Sequence, residues 1–364
     1  MRGIVGRQPS MLVLMNPEEL ISADHPLRQI RSFSEEVFKR LSPVFDEIYS
    51  SVGRPSIPPE RLLGASLLMA LYSIRSERAF CDRLKTDLLF KWFLGMSMVD
   101  EVFDHSTFSA NRQRLLDHDV SRLFFREVVH LARRRHLMSS EHFTVDGSLI
   151  AAWASMKSLR PRSGQDGPFP PSAPGDSGVN FKGLKISNAT HYSATDPESL
   201  LFKKSSGKGA TLCFCLNALT ENRHGLLVDV RLGKATGTIE REAAVAMVEE
   251  SLPGRRRITV GADKGYNCKA FVAGCRDLNA TPHVAHRTRR HGGSAIDDRT
   301  SRHEGYLESL KKRKLVEQVF GWMKTVAGFA RTRFFGVAKT QAWAYLVGSA
   351  YKLLRITKLE RQAA

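Results

Sequence analysis

The chain has no CxxC pair, and only five cysteines, at positions 81, 213, 215, 268 and 275, in 364 residues. None has a companion histidine at zinc spacing, which excludes a thioredoxin-like redox centre and a zinc finger by pattern. Cys213 and Cys215 share one face of an apolar run and read as small buried hydrophobes, so the expected compartment is reducing and cytoplasmic. Long apolar runs are also missing. The run Met11 to Met15 stops at Asn16-Pro17, short of a signal-peptide core, and no other stretch approaches a membrane span. No internal repeat is present, which excludes a solenoid. Acid is scarce: 37 Asp and Glu stand against 55 Lys and Arg, a net charge of +18. With a pI near 9.9, the expected partner is a polyanion, most often nucleic acid.

What is present is the material of an ordinary globular protein, 42% hydrophobic and 25% charged, long enough for two domains. Up to residue 138 the pattern is helical. Pro58 and Pro59 open a run with Leu63, Leu67, Ala70, Leu71 and Ile74 at helical spacing. A second run is expected from a Ser76 cap to Gly95, a third from a Ser106 cap through Arg112 and Arg114, and a fourth from Val120 to His136. From residue 139 the period changes. The segments EHFTVDGSLI, ATLCFCLNALT, GLLVDVRLG, RRITVGADKGY and ATPHVAHRT read as five strands, with helices expected at 238–251, 268–278 and 310–327. This predicts a mixed α/β domain over 139–358 behind an all-α domain over 1–138. A Pro/Gly/Ser-rich insertion around 159–208 is expected to be flexible.

Two carboxylates fall at strand positions followed by glycine. Ile258, Val260 and Ala262 alternate with Thr259, Gly261 and Asp263, and Phe143 and Val145 alternate with Thr144 and Asp146. Each aspartate alone reads equally as a turn former. A divalent metal pair needs carboxylates from several elements, and KKRKLVEQVFGWMK supplies a helical one. There Arg313, Glu317, Gly321 and Lys324 share one sector opposite Val316, Val319, Phe320 and Met323. The alternative is a solvated Arg313–Glu317 pair one turn apart.

The order strand Asp, strand Asp, helix Glu resembles that of the DDE transposases of bacterial insertion sequences, most closely the IS-five group. The stretches TVDGSLIAAWASMKS, SNATHYSATDPESLLFKKSSGKGATLCF, TIEREAA and GADKGYN carry the resemblance, as do SADHPLRQI and RPSIPPERLLGASLLMALYSIRSERAFCDRL in the helical half. The last family signature is Tyr, Arg, Glu, Lys. Arg313, Glu317 and Lys324 are in place, but Leu310 stands where the tyrosine belongs, with Tyr306 one turn earlier.

The resemblance implies a ribonuclease-H-like catalytic domain with a mixed five-stranded sheet and flanking helices. It implies that Asp146, Asp263 and Glu317 are catalytic and bind two Mg²⁺ ions, with Mn²⁺ an alternative, to cleave and join DNA strands. Arg313, Lys324, Lys264 and Tyr266 would contact DNA at the site. Arg112 and Arg114, with the run Arg133 to Arg135, would bind double-stranded terminal inverted repeats. Target DNA, a homodimeric active complex, no membrane partner, and a place in the bacterial cytoplasm at the nucleoid complete the expectation. Trp153 and Trp322 either pack in the core or stack on an unpaired base. A catalytically inactive DNA-binding regulator derived from a transposase is the alternative function.

Overall fold

The computed structural model describes residues 16–50, 52–53, 56–162, 179–181, 184–203, 209–252, 254, 256–286 and 293–363. Its first half is helical as expected. Pro26–Ile48 buries Leu27, Ile30, Phe33, Val37, Leu41 and Phe45 at three- and four-residue intervals, the spacing of one helical face. Pro59–Leu71 is buried along most of its length. The run expected from Ser76 to Gly95 is two helices, Glu77–Leu84 and Leu88–Phe93. Asp87 breaks it by accepting a hydrogen bond from the Phe90 amide, a cap that competes with continuing the helix. The cap of His105–Asp117 is Asp104, whose carboxylate takes the Ser106 amide, and not Ser106. Val120–Arg134 follows as expected.

Five strands form the centre of the second half: β1 His142–Ala151, β2 Thr211–Glu221, β3 Leu227–Lys234, β4 Ile258–Ala262 and β5 Ala280–Val284. Their order is β3-β2-β1-β4-β5, with the first three antiparallel and β4 and β5 parallel to β1. This is the ribonuclease-H-like order. The short strand Leu200–Phe202 also pairs with β2, and Leu159–Pro161 pairs with His191–Ser193. Within the 159–208 insertion, Ser193, Asp196 and Ser199 are therefore folded in and buried. Its Pro-rich middle, 163–178, lies outside the described residues, as do Arg287, Arg289 and Arg290 of the basic loop.

The sheet has two packed faces. On one, Phe143, Val145, Val260 and Ala262 meet Ile239–Ser251 and Lys269–Asp277 through Met247, Val248, Phe271 and Val272. On the other, Ile150, Leu216, Ala218 and Val230 share a core with Val316, Val319, Phe320 and Met323 of Lys314–Thr325 and with the long helix Val337–Ala363. That core continues into the N-terminal helices. Phe125 and Tyr345 have ring centroids 5.3 Å apart. A Cβ on Gly348 would stand 2.8 Å from Leu227 and 3.0 Å from Phe125, so a larger residue there would force the halves apart. Lys352 is wholly buried at this junction, its Nζ donating to the Phe125 carbonyl at 3.2 Å and lying 3.5 Å from the ring. Burial drives its pKa well down.

Candidate active site

Parallel pairing of β1 with β4 matches His142 to Thr259, Phe143 to Val260 and Thr144 to Gly261, each 117 residues apart. Asp146 and Asp263 have the same offset, 263 − 146 = 117. Continuing the register sets them side by side where β4 ends. Side chains alternate across a strand, so Asp146 shares a face with Thr144, Ser148 and Ile150. Lys324 of the Glu317 helix donates to Ser148 Oγ at 2.6 Å, which places that helix over the same face.

Asp263 answers two descriptions at once. Its Oδ1 accepts from the Gly265 amide at 2.6 Å and caps the short turn Lys264–Tyr266. A Cβ on Gly265 would press to 2.9 Å from that oxygen. The glycine is thus explained by the aspartate's own turn. Asp146 is half-buried, and its Oδ1 accepts from the Gly147 amide at 2.8 Å. Burial raises its carboxyl to about 6; the Gly147 amide opposes this, Asp263 adds to it, Arg313 opposes it and Glu240 adds to it.

Glu240 is the residue that sequence reasoning passed over. It lies in the first turn of Ile239–Ser251, on the opposite side of the sheet from Ser148. Its carboxyl group fills the place of the missing Gly147 side chain: a Cβ there would stand 2.7 Å from Cγ and 2.8 Å from Cδ and Oε1. Cys215 Sγ is 3.8 Å from the same Oε1. The available signal was Gly147 itself, since glycine inside a strand marks close approach by another group.

Glu317 stands apart from this cluster. Its side chain is 60% exposed and its Oε1 is 3.9 Å from Arg313 Nη2, the one-turn pair that was the alternative reading. Arg313 is the connection, since it meets Glu317 and also offsets the Asp146 charge. Gly321 faces open space among the described residues, so no packing contact there demands a glycine. Leu310 packs against the core that contains Tyr306. The Tyr306 hydroxyl donates to the Val284 carbonyl at 2.8 Å, a structural bond that occupies it.

Other expected contacts are redistributed. Tyr266 is corrected: it is 1% exposed and packs against Phe271 with centroids 5.1 Å apart, so its ring is a core group and presents nothing to DNA. Lys264 beside it is exposed. Arg112 is tied to Glu77 and stacks 4.7 Å from the Phe334 ring centroid, while Arg114 lies 5.0 Å from that of Tyr49. Arg134 and Arg135 are paired with Glu36, and Arg135 also with Glu360. Trp153 is 54% exposed and Trp322 packs on Tyr351, so the two tryptophans divide between the roles weighed for both.

Asp146 and Asp263 offer hard oxygen donors, and burial with the neighbouring Asp263 charge, which together hold the Asp146 carboxyl up, is a setting that a bound divalent cation would offset. The pair therefore fits such an ion. Glu317 would have to approach to complete a set of three: among the described residues no group of three or more His, Cys, Asp or Glu side chains is disposed to hold a metal.

Comparison with known proteins adds independent findings. Residues 15–114 match a family described as a transposase domain (DUF772), and residues 187–353 match the transposase DDE domain family. The second match contains Asp263 and Glu317, while Asp146 precedes it. No curated protein matches the sequence. Among solved structures, a piggyBac transposase synaptic complex with hairpin DNA is similar at 10% identity and a TM-score of 0.43, covering 93% of this chain and 76% of that one. The Mos1 strand transfer complex is similar at 13% identity and a TM-score of 0.21, covering 89% and 84%.

Proposed function

From the premise that this chain carries a transposase DDE domain, we propose that it is a DNA transposase of the IS-five type, cutting at the terminal inverted repeats of an insertion sequence and joining the freed ends to target DNA. The observation that carries this reading is the pairing of β1 with β4, whose register brings Asp146 beside Asp263.

Asp146, Asp263 and Glu317 would hold the divalent cations, two Mg²⁺ or Mn²⁺. Such ions activate an attacking oxygen and stabilise the leaving one in displacement at a phosphodiester. The chain's own contribution is placement. The sheet fixes both aspartates on its adjacent inner strands β1 and β4, and the Gly265 and Gly147 amides orient one oxygen of each. Arg313 and Lys324 extend cationic groups from the Glu317 helix on the Asp146 face, where they would grip the phosphate being cut. Lys264, exposed beside Asp263, would meet the neighbouring backbone. Two ends must be held together for joining, so the working form would be a homodimer on double-stranded DNA in the bacterial cytoplasm.

The deciding experiment is strand cleavage and strand transfer on duplexes carrying the element's own ends, with Mg²⁺ or Mn²⁺, comparing wild type with Asp263→Asn. Metal-dependent nicking and joining are expected from wild type and a loss of at least about 10³-fold, about 4 kcal/mol of barrier, from the variant. DNA binding without cutting by either protein would instead establish the inactive regulator, the reading favoured by the separation of Glu317 from the aspartates.

A further inference from the structure

Of the expected DNA-binding arginines of the helical half, Arg112 and Arg114 rest against neighbouring side chains and Arg134 and Arg135 are paired with acids, whereas Arg133 belongs to a row of exposed cations. Along Val120–Arg134, Arg122, Arg126, His130 and Arg133 are all exposed, opposite a buried face of Phe124, Phe125, Val128 and Leu131. At 100° per residue these four lie within a sector of about 80°, and the first three repeat at about 6 Å along the axis. The ridge is one wall of a cleft of about 410 Å³ whose other side is Val228–Leu232 of β3 and the end of Ile239–Ser251.

The cleft's charges divide sharply by what they touch. Arg231 is already compensated, 3.0 Å from Asp229 and 2.6 Å from Glu250, and Arg122 is 2.5 Å from Asp119. Arg126 and Arg133 have no carboxylate partner among the described residues; Arg133 donates only to the Ser251 carbonyl, at 3.2 Å. Two guanidinium groups are thus held in one cleft with no direct ion pair among the described residues, while the cleft's acids, Asp229 and Glu250, are engaged by Arg231. Guanidinium forks suit phosphate oxygens, and their regular spacing suits a polyanion rather than an isolated ion.

Its position puts this surface at the β3 edge of the sheet, beside the aspartates. Asp146 pairs with Ala218, and Ala218 with Val230, so β3 passes the cleft in the same row as Asp146, two strand spacings or about 10 Å away. Tyr345 of Val337–Ala363 also lines the cleft.

We propose that this cleft, through Arg126 and Arg133, binds the phosphodiester backbone of duplex DNA outside the step being cut. The inference rests on the reading that the chain acts on DNA. It assigns a second grip, at the β3 edge, to phosphates outside the step at the aspartates.

The test is the salt dependence of binding of the full chain to a 30-base-pair duplex, about three helical turns, followed by fluorescence anisotropy. Wild type is compared with Arg126→Ala/Arg133→Ala and with Arg126→Lys/Arg133→Lys. Each phosphate contact contributes about 0.9 to the slope of log affinity against log salt, so the alanine pair should flatten it by about 1.8 and the lysine pair should preserve it. Glu250→Gln, which removes an acid from the cleft, should tighten binding. Wild-type binding with an unchanged slope in the alanine pair would overturn the cleft and leave the transposase reading standing. A lysine pair as flat as the alanine pair would overturn the phosphate assignment, since the charge would be present without the contact. Failure of wild type to bind any duplex would overturn both readings together.

Discussion

Asp146 and Glu317 are proposed to serve the same ions, yet their surroundings are opposite. Asp146 lies half-buried in a paired strand, crowded by Asp263 and Glu240, with its carboxyl raised to about 6. Glu317 projects from a helix into solvent and is matched with Arg313. Strand pairing fixes the first acid to within the precision of a hydrogen-bonded ladder, while only one apolar helix face fixes the second. On that proposal the aspartate pair is preformed, and Glu317 with Arg313 would be the side that moves.

The largest test of this contrast combines activity with stability. Asp146→Asn and Glu317→Gln should each lower metal-dependent nicking by at least about 10³-fold, equivalent to about 4 kcal/mol. Their metal-free melting temperatures should separate. Asp146→Asn removes a crowded charge and should melt higher at pH 8, whereas Glu317→Gln alters an exposed group and should melt with wild type. A lower melting temperature for Asp146→Asn would refute the crowded-carboxylate account.

A tenfold effect is expected from pH. The folded Asp146 carboxyl, at about 6, binds its proton more tightly than the unfolded one at 3.8. Metal-free stability from this group is therefore fully present below about 4, declines as pH rises towards 6 and is level above it. Mg²⁺ competes with that proton, so below pH 6 its affinity should weaken about tenfold per unit. Mg²⁺ titrations of the melting temperature at pH 5 and pH 7 would show this for wild type; an equal dependence in Asp146→Asn would assign the proton elsewhere.

The smallest effect sharpens the fixed side. Gly147→Ala drives a Cβ into the Glu240 carboxyl group and should destabilise the fold by about 1–3 kcal/mol in urea unfolding. Gly147→Ala/Glu240→Ala should recover most of that loss, and an unrelieved double variant would place the strain in the strand itself.

The five strand segments, and the face that Asp146 and Asp263 take in two of them, were legible in the sequence because alternation over Phe143–Asp146 and Ile258–Asp263 states which face each residue takes, while the order of the strands came only from the family resemblance. Helix ends were less so, since Asp87 and Asp104 capped where a longer run or a serine looked equally good. Glu240 was hidden for a different reason. Nothing in TIEREAA says which strand its helix will cross, and only tertiary packing brings it under Gly147. Tyr266 failed similarly: three residues past an aspartate it looks like a surface group, but the short turn folds its ring back against Phe271.

The offset of 117 residues between β1 and β4 also has a consequence for how the chain folds. During synthesis at about 5–20 residues per second, the partner strand is completed some 6–23 seconds after the first. Until then the first aspartate has no neighbour, and closing so long a loop places this pairing among the slower events of folding. A ribosome-bound chain that has emerged only as far as β3 already has its helical half but lacks the aspartate pair. The two aspartates therefore meet late, after the surfaces of that half have been synthesised, and Glu317 follows 54 residues after Asp263.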